Sequence, residues 1–175
     1  MLRYFTLSDK LTQIGFGGGC HWCTETVFAS LIGVVEVEQG WIASDGDADS
    51  FSEAVIVTFD PQQIPLKDLV QIHLLTHSSS SDHKFRQKYR SAIYTFQTGQ
   101  STLAESILSE LSAESNKAYV TQVLPFKAFK LNDEKYQQYY LKHADKPFCK
   151  RYIDPKLELL KKQYSRYLTQ SPSQT

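Results

Sequence analysis

Residues 15–25 have the sequence Gly-Phe-Gly-Gly-Gly-Cys-His-Trp-Cys-Thr-Glu. Consecutive glycines cost backbone entropy and pack nothing, so they indicate a sharp turn or a close approach of another molecule to the backbone. An apolar segment with helical spacing, through Val27, Phe28 and Leu31, follows directly. Residues 12–16, before the glycines, are predicted to form a strand. The stretch therefore predicts a strand, a bare turn and a helix.

Cys20 is predicted to lie in the first turn of that helix. The unpaired N–H groups and the positive dipole end there favour an anion, and a thiolate is the anion that cysteine can supply. The alternative is a buried structural cysteine after a loop, since free cysteine is often a small core residue. The glycines, the helix start and the second cysteine, Cys23, favour the interpretation of Cys20 as a nucleophile.

The composition is that of an ordinary globular protein, with 175 residues, 41% of them hydrophobic, which is enough for one domain with a sizeable core. Nineteen basic residues balance nineteen acidic ones, so no net charge attracts nucleic acid or an anionic membrane. No apolar run approaches the roughly 18 residues of a membrane span. We therefore expect neither nucleic acid nor a membrane as partner.

We expect a leader over residues 1–11, a single catalytic domain over residues 12–168 and a disordered end over residues 169–175. The first residues have too short an apolar stretch for a secretory signal, and Asp9 interrupts them. We therefore expect a cytoplasmic protein, and a monomer. Three cysteines in such a chain favour reactive chemistry or metal binding over a disulfide scaffold.

The order of elements along the chain predicts the fold class. Strands are predicted over residues 34–41, 51–59, 90–96 and 120–124, and helices over 22–31, 65–76, 100–114, 133–143 and 155–168. Residues 76–88 are predicted to form a polar loop, residues 125–130 are expected to be irregular, and the last helix is expected to be exposed. This order predicts an α+β fold, a ferredoxin-like split βαβ sandwich with C-terminal extensions.

The pair Cys20-x-x-Cys23 has three interpretations. It can be a thioredoxin-type redox centre, or a nucleophile with its own resolving thiol that passes through a sulfenic acid. It can also hold zinc together with His21, but a structural zinc site needs four ligands and no second such pair occurs in the sequence. The glycine run lacks the ending of a phosphate loop, which disfavours nucleotide binding. We expect no cofactor and no metal.

Other candidate residues lie on later segments. Glu53, at the start of a predicted strand, is typical of a solvent-facing strand edge, but a desolvated carboxyl group would have a raised pKa and could donate a proton. Tyr89 is either a hydrogen-bond donor or an interface aromatic. Cys149 lies in a turn with basic neighbours, which lower a thiol pKa, and a loop there would let a resolving thiol move. The pair His73 and His77 is typical of a half-exposed helix face.

Residues 18–25 resemble the Gly-Cys-Phe-Trp signature of the methionine sulfoxide reductase A family. The resemblance covers roughly residues 12 to 150. Four further features are similar to that family and occur in the same order: Gly33-Val34 leading to Gln39-Gly40-Trp41, Ser52-Glu53-Ala54-Val55 with Phe59-Asp60-Pro61, Lys88-Tyr89-Arg90-Ser91-Ala92-Ile93-Tyr94, and Tyr139-Tyr140-Leu141.

The resemblance implies a protein-repair enzyme that reduces the S epimer of methionine sulfoxide, free or in proteins. By the same resemblance Cys20 is the nucleophile, Glu53 the acid, Tyr89 a donor to the sulfoxide oxygen, and Trp22 the wall for the substrate methyl group. Cys20 would become a sulfenic acid, which condenses with a second thiol to a disulfide that thioredoxin reduces.

Both Cys149 and Cys23 fit the second thiol, and Cys149 is preferred because its loop is expected to be mobile and the family often uses a C-terminal cysteine. His21 stands where the family usually has Phe, and Asp82 matches the family's Asn-Asp segment; both belong to the expected substrate-binding set. The alternatives are a general thiol-disulfide oxidoreductase and a non-enzymatic zinc-binding module.

Overall fold

The computed structural model describes residues 11–168, so the predicted leader, apart from Leu11, and the predicted disordered end lie outside the described residues. The strands are β1 (Thr12–Gly17), β2 (Val34–Ala43), β3 (Ser52–Phe59), β4 (Ala92–Thr95), β5 (Gln122–Pro125) and β6 (Ala128–Leu131). The helices are α1 (His21–Ala29), α2 (Leu66–Thr76), α3 (Thr98–Ser115), α4 (Tyr139–His143) and α5 (Asp154–Gln163). A π-helical turn spans Cys149–Ile153.

The six strands form one mixed sheet with the order β5-β4-β1-β3-β2-β6. β1 pairs antiparallel with β3 and β4, and β2 pairs antiparallel with β3 and β6. β5 is parallel to β4. The inner order β4-β1-β3-β2 is that of the split βαβ unit, which confirms the predicted α+β, ferredoxin-like fold. β5 and β6 extend it at the two edges.

Strand alternation divides the core between the two faces of the sheet, because successive side chains point to opposite faces. Phe16 and Val57 pack with the helices in the larger cluster, and Phe16 stacks on Phe28 of α1 with ring centroids 4.6 Å apart. Ile56 and Tyr94 belong to a smaller cluster on the other face. β3 is therefore covered on both sides.

The expectation that residues 125–130 are irregular is wrong, because β6 pairs with β2 there. Gly40 permits this pairing, since a Cβ atom built on it would lie 2.1 Å from the carbonyl oxygen of Lys130. The partner strand lies far away in the sequence, so no local pattern announces β6. The strand completes the sheet next to the end of β2.

The C-terminal helices also differ from the prediction. The predicted helix over residues 133–143 is a short 3₁₀ turn followed by α4, and the two are separated by Gln137 and Gln138, the second of which has a φ of 54°. The last helix ends at Gln163 and is not simply exposed, because Leu160 and Tyr164 are buried in the main core. Within residues 11–168, no helix is long and apolar enough to cross a membrane.

Candidate active site

The glycine turn holds Cys20 at the N-terminus of α1. Gly18 has a φ of 152°, and a Cβ atom there would lie 2.5 Å from the His77 ring. The ring nitrogen Nε2 of His73 lies 2.8 Å from the Gly17 carbonyl oxygen, to which it donates. His73 is 2% exposed, so the predicted half-exposed face is wrong for this residue. Both imidazoles instead support the turn that carries the thiol.

Cys20 is the N-cap residue of α1, and its carbonyl oxygen accepts hydrogen bonds from the main-chain N–H groups of Cys23 and Thr24. The Cys23 thiol lowers the pKa of Cys20 most, burial opposes it, and His21 and the Trp22 backbone lower it further, to about 5. The contact of the Cys23 thiol with the Cys20 sulfur in turn raises the pKa of Cys23. Cys20 is therefore the thiolate of the pair at neutral pH, as a nucleophile requires.

Glu53 lies on β3, an interior strand between β1 and β2, and is 7% exposed. The strand-edge interpretation is therefore wrong. Its Oε2 atom accepts a hydrogen bond of 3.1 Å from the main-chain N–H of His21 and lies 2.7 Å from Nδ1 of the same residue. Burial raises the pKa of Glu53, but the contacts with His21 outweigh it and lower the pKa. Desolvation alone would favour the neutral carboxyl group, but His21 favours the ionised one.

His21 joins the nucleophile to the carboxylate. The Cys20 sulfur, one ring nitrogen of His21 and one oxygen of Glu53 lie within 4.8 Å of one another. Burial lowers the pKa of His21, but the neighbouring thiolate and carboxylate outweigh it and raise the pKa to about 9. These three donors are the candidate metal ligands among the described residues; they differ from the predicted zinc set by replacing Cys23 with Glu53. A structural zinc site takes four ligands.

A buried chain of polar side chains lies behind His21. Nε2 of His21 is 3.1 Å from Nδ2 of Asn132, which donates to Oε1 of Gln39 at 2.7 Å. Nε2 of Gln39 donates in turn to Glu25 at 2.6 Å. Neither Glu25 nor Asn132 was predicted from the sequence to have a role. Their positions indicate that they orient the imidazole.

Trp22 forms an aromatic wall next to Cys20. Its ring stacks on Tyr139 with centroids 3.9 Å apart and planes 6° apart. Tyr136 lies 6.0 Å from it, and Phe148 meets it edge-on at 5.7 Å. The group is suited to contact an apolar substrate methyl.

The segment before β4 runs beside Glu53. The main-chain N–H of Glu53 donates to the Lys88 carbonyl at 3.0 Å, and the Lys88 ammonium lies 3.7 Å from Oε1 of Glu53. The same ammonium is 5.0 Å from the ring centroid of Tyr89, which is half-buried. Asp82 is exposed. Arg86, which no sequence pattern singled out, donates to the carbonyl of Gly18 at 3.0 Å and so ties this loop to the glycine turn.

Cys149 is fully buried in the π-helical turn, so it does not lie in the loop that the sequence predicted. It packs in one cluster with Cys23, Tyr139 and Ile153, and Cys20 packs against this cluster. The three thiols are free. All three cysteines therefore lie in one region of the molecule, although two of them are far from Cys149 in the sequence.

Comparison with known proteins places this site in a family. The family model described as peptide methionine sulfoxide reductase matches residues 12–168. The chain belongs to this family. A relative from Sulfolobus acidocaldarius, peptide methionine sulfoxide reductase MsrA, is 32% identical over 162 residues, which cover 85% of this chain and 92% of the relative. The resemblance seen in the sequence is confirmed, and the protein is a methionine sulfoxide reductase.

Solved structures of the reductase family share the fold. Mxr1 from Saccharomyces cerevisiae in reduced form matches with a TM-score of 0.68 and 22% identity, covering 81% of this chain and 90% of that one. Mxr1 in complex with Trx2 matches with a TM-score of 0.58 and 20% identity, covering 75% and 86% of the two chains. At this identity the likeness concerns the fold.

Proposed function

We propose that this reductase converts the S epimer of methionine sulfoxide, free or in proteins, to methionine through a sulfenic acid on Cys20. The observation that carries the proposal is the group formed by Cys20, His21 and the buried carboxylate of Glu53, which lie within 4.8 Å of one another. Cys20 is held there as a thiolate. The Cys20 thiolate attacks the sulfoxide sulfur and forms an S–S bond to methionine, while the S–O bond breaks and the oxygen, protonated twice, leaves as water. Water then attacks the Cys20 sulfur, the S–S bond breaks, and methionine leaves as the thioether. Cys20 is thereby oxidised to the sulfenic acid, and one of the two protons is returned.

The neighbouring residues supply what this step needs. A sulfoxide oxygen is a poor leaving group until it is protonated, so an acid next to the thiolate accelerates the reaction. Glu53 is the proposed acid; because its own pKa is lowered by His21, the proton that it passes to the oxygen is proposed to come from His21, whose pKa is raised to about 9. Tyr89 is the proposed second donor to the oxygen, and Trp22 is the proposed wall for the methyl group. A substrate-binding role of Asp82 stays a prediction.

The enzyme is proposed to return to the thiol state through an intramolecular disulfide. The sulfenic acid condenses with a second thiol, which releases water, and thioredoxin then reduces the disulfide. The solved complex of Mxr1 with Trx2 supports thioredoxin as the reductant. Free thiols suit the reducing cytoplasm, which we propose as the compartment; a monomeric state stays a prediction.

Cys23 is proposed as the first resolving thiol, in place of Cys149. Cys23 lies in the same helical turn as Cys20, to whose carbonyl its main-chain N–H donates at 3.1 Å, and the Cys20 sulfur is the largest cause that raises its pKa, whereas Cys149 is enclosed in another helical turn. After one turnover without reductant, peptide mapping by mass spectrometry is expected to find a Cys20–Cys23 bridge in the wild type and in Cys149→Ser. Cys23→Ser is expected to accumulate a sulfenic acid that dimedone traps. A Cys20–Cys149 bridge as the first product in the wild type would contradict this order.

The epimer specificity is tested with the two separated epimers of a methionine sulfoxide peptide and thioredoxin as reductant. We expect turnover of the S epimer and none of the R epimer, because the methyl group and the oxygen must meet Trp22 and Glu53 at the same time. Oxidised thioredoxin and methionine formed are measured together. Activity on the R epimer alone, or on neither, would exclude the proposed function.

A further inference from the structure

Two main-chain groups fix the orientation of the side-chain amides behind His21. The carbonyl of Tyr136 can only accept, and it takes a hydrogen bond of 3.1 Å from Nε2 of Gln39. The N–H of Asp133 can only donate, and it donates to Oδ1 of Asn132 at 2.8 Å. Because main-chain groups have fixed roles, neither amide can be turned over without losing such a bond. The amide nitrogen of Asn132 therefore points toward His21 and Gln39.

The direction of the next contact follows from these two anchors. Nδ2 of Asn132 donates one hydrogen to Oε1 of Gln39, at 2.7 Å, and its other hydrogen faces Nε2 of His21 at 3.1 Å. An amide nitrogen donates and does not accept, so Nε2 is the acceptor of this bond. A neutral imidazole whose Nε2 accepts carries its proton on Nδ1.

Nδ1 lies on the side of the reacting groups. It is 2.7 Å from Oε2 of Glu53, although the contact lacks the alignment of a hydrogen bond, and a ring nitrogen of His21 lies within 4.8 Å of the Cys20 sulfur. The main-chain N–H of His21 donates to Oε2 as well. Both N–H groups of one residue thus lie against a single oxygen, whereas Oε1 has neither of them and lies 3.7 Å from the Lys88 ammonium.

We propose that His21, oriented by Asn132, is a positioning residue that keeps an Nδ1–H between the Cys20 thiolate and Oε2 of Glu53, and so leaves Oε1 as the oxygen that transfers the proton. The proposal rests on the proposed function and deepens it. It concerns this chain in particular, because the Phe that the family usually has at this position offers no N–H from its side chain. Residues 20, 21 and 53 then act as one unit, with Asn132 behind them.

The surrounding charges act on the ring in opposite ways. The anionic groups that face His21 are Cys20, Glu53 and, from within α1, Glu25, and they favour a second ring proton. The cation nearest to the carboxylate is Lys88. The amide of Asn132 disfavours a second ring proton, because that proton would lie on Nε2 and two N–H donors would then face each other. Nδ1 carries a proton in both the neutral and the cationic ring, so the proposed contact persists in both.

The ring proton can be observed directly and without turnover. In ¹⁵N spectra of the reduced protein at pH 7.5, with His21 assigned from the loss of its signals in His21→Phe, we expect a protonated Nδ1. A neutral ring with its proton on Nε2 would overturn the proposal. Since no substrate is involved, this result tests the position of the ring proton independently of whether the enzyme reduces methionine sulfoxide.

A matched pair of substitutions tests the effect on the nucleophile. In His21→Asn the side-chain amide nitrogen can take the position of Nδ1. In His21→Gln it can take the position of Nε2. Cys20 alkylation by iodoacetamide at pH 6 is followed by mass spectrometry, where each unit of raised thiol pKa slows the reaction up to about tenfold. We expect His21→Asn to stay within about threefold of the wild type and His21→Gln to be slowed about tenfold. Equal rates in the two variants would overturn the proposal, and thermal melting checks that both are folded.

Discussion

Cys20→Ser is expected to reduce methionine sulfoxide turnover by on the order of a thousandfold or more. A serine hydroxyl stays protonated at the N-terminus of α1, where the Cys20 thiol is held as a thiolate by the Cys23 thiol and His21. It also cannot form a sulfenic acid, so the oxygen of the sulfoxide has no acceptor. The measurement is methionine released in a single turnover, quantified by chromatography.

Cys23→Ser is the matched control for this loss, because it removes a thiol from the same helix turn. It is expected to release close to one equivalent of methionine in the first turnover and then to stall, since the first step needs only Cys20. The serine hydroxyl keeps a hydrogen-bond donor where the Cys23 thiol lowers the Cys20 pKa most, so the first turnover is expected to keep its rate at neutral pH. Retained methionine release in Cys20→Ser, with loss in Cys23→Ser, would assign the nucleophile to Cys23.

The four-strand centre of the fold could be predicted because its signals are local. Alternating apolar residues on β3 and helical spacing on α2 are properties of single segments, and their order limits the topology. β6 could not be predicted in this way. Its four residues include the exposed Ala128 and Leu131, and its place is decided by pairing with β2, which depends on Gly40.

The same distinction applies to the site. Cys20 is recognisable in the sequence because the glycines and the helix start that activate it are its neighbours. The burial of Glu53 is not recognisable, because it results from the position of β3 between two other strands. The partner of His21 is harder still: Asn132 lies 111 residues away, at the end of a strand that no local pattern predicts.

Glu53→Gln is expected to lower sulfoxide turnover by about 10²- to 10⁴-fold, the range by which a general acid contributes. The amide has nearly the same shape, so it keeps the place of the side chain next to His21, but it has no acidic proton for the sulfoxide oxygen. The thiolate is expected to persist, because the charge of Glu53 raises the pKa of Cys20 and its removal relieves that effect. The predicted signature is thus lost turnover with undiminished alkylation of Cys20 at pH 6.

This combination distinguishes a proton-donating Glu53 from two rival roles. A general thiol-disulfide oxidoreductase would need only Cys20 and Cys23, and Glu53→Gln would then leave turnover intact. A merely structural carboxylate would lose turnover and thiol reactivity together, with a lowered melting temperature. Glu36→Gln makes the same chemical change at an exposed position of β2 and is expected to behave as the wild type in all three measurements. If Glu53→Gln matched this control, Glu53 would not be the proton donor; a remaining preference for methionine sulfoxide over disulfide substrates would then assign that role to His21, whose pKa is raised to about 9, and its absence would favour the oxidoreductase.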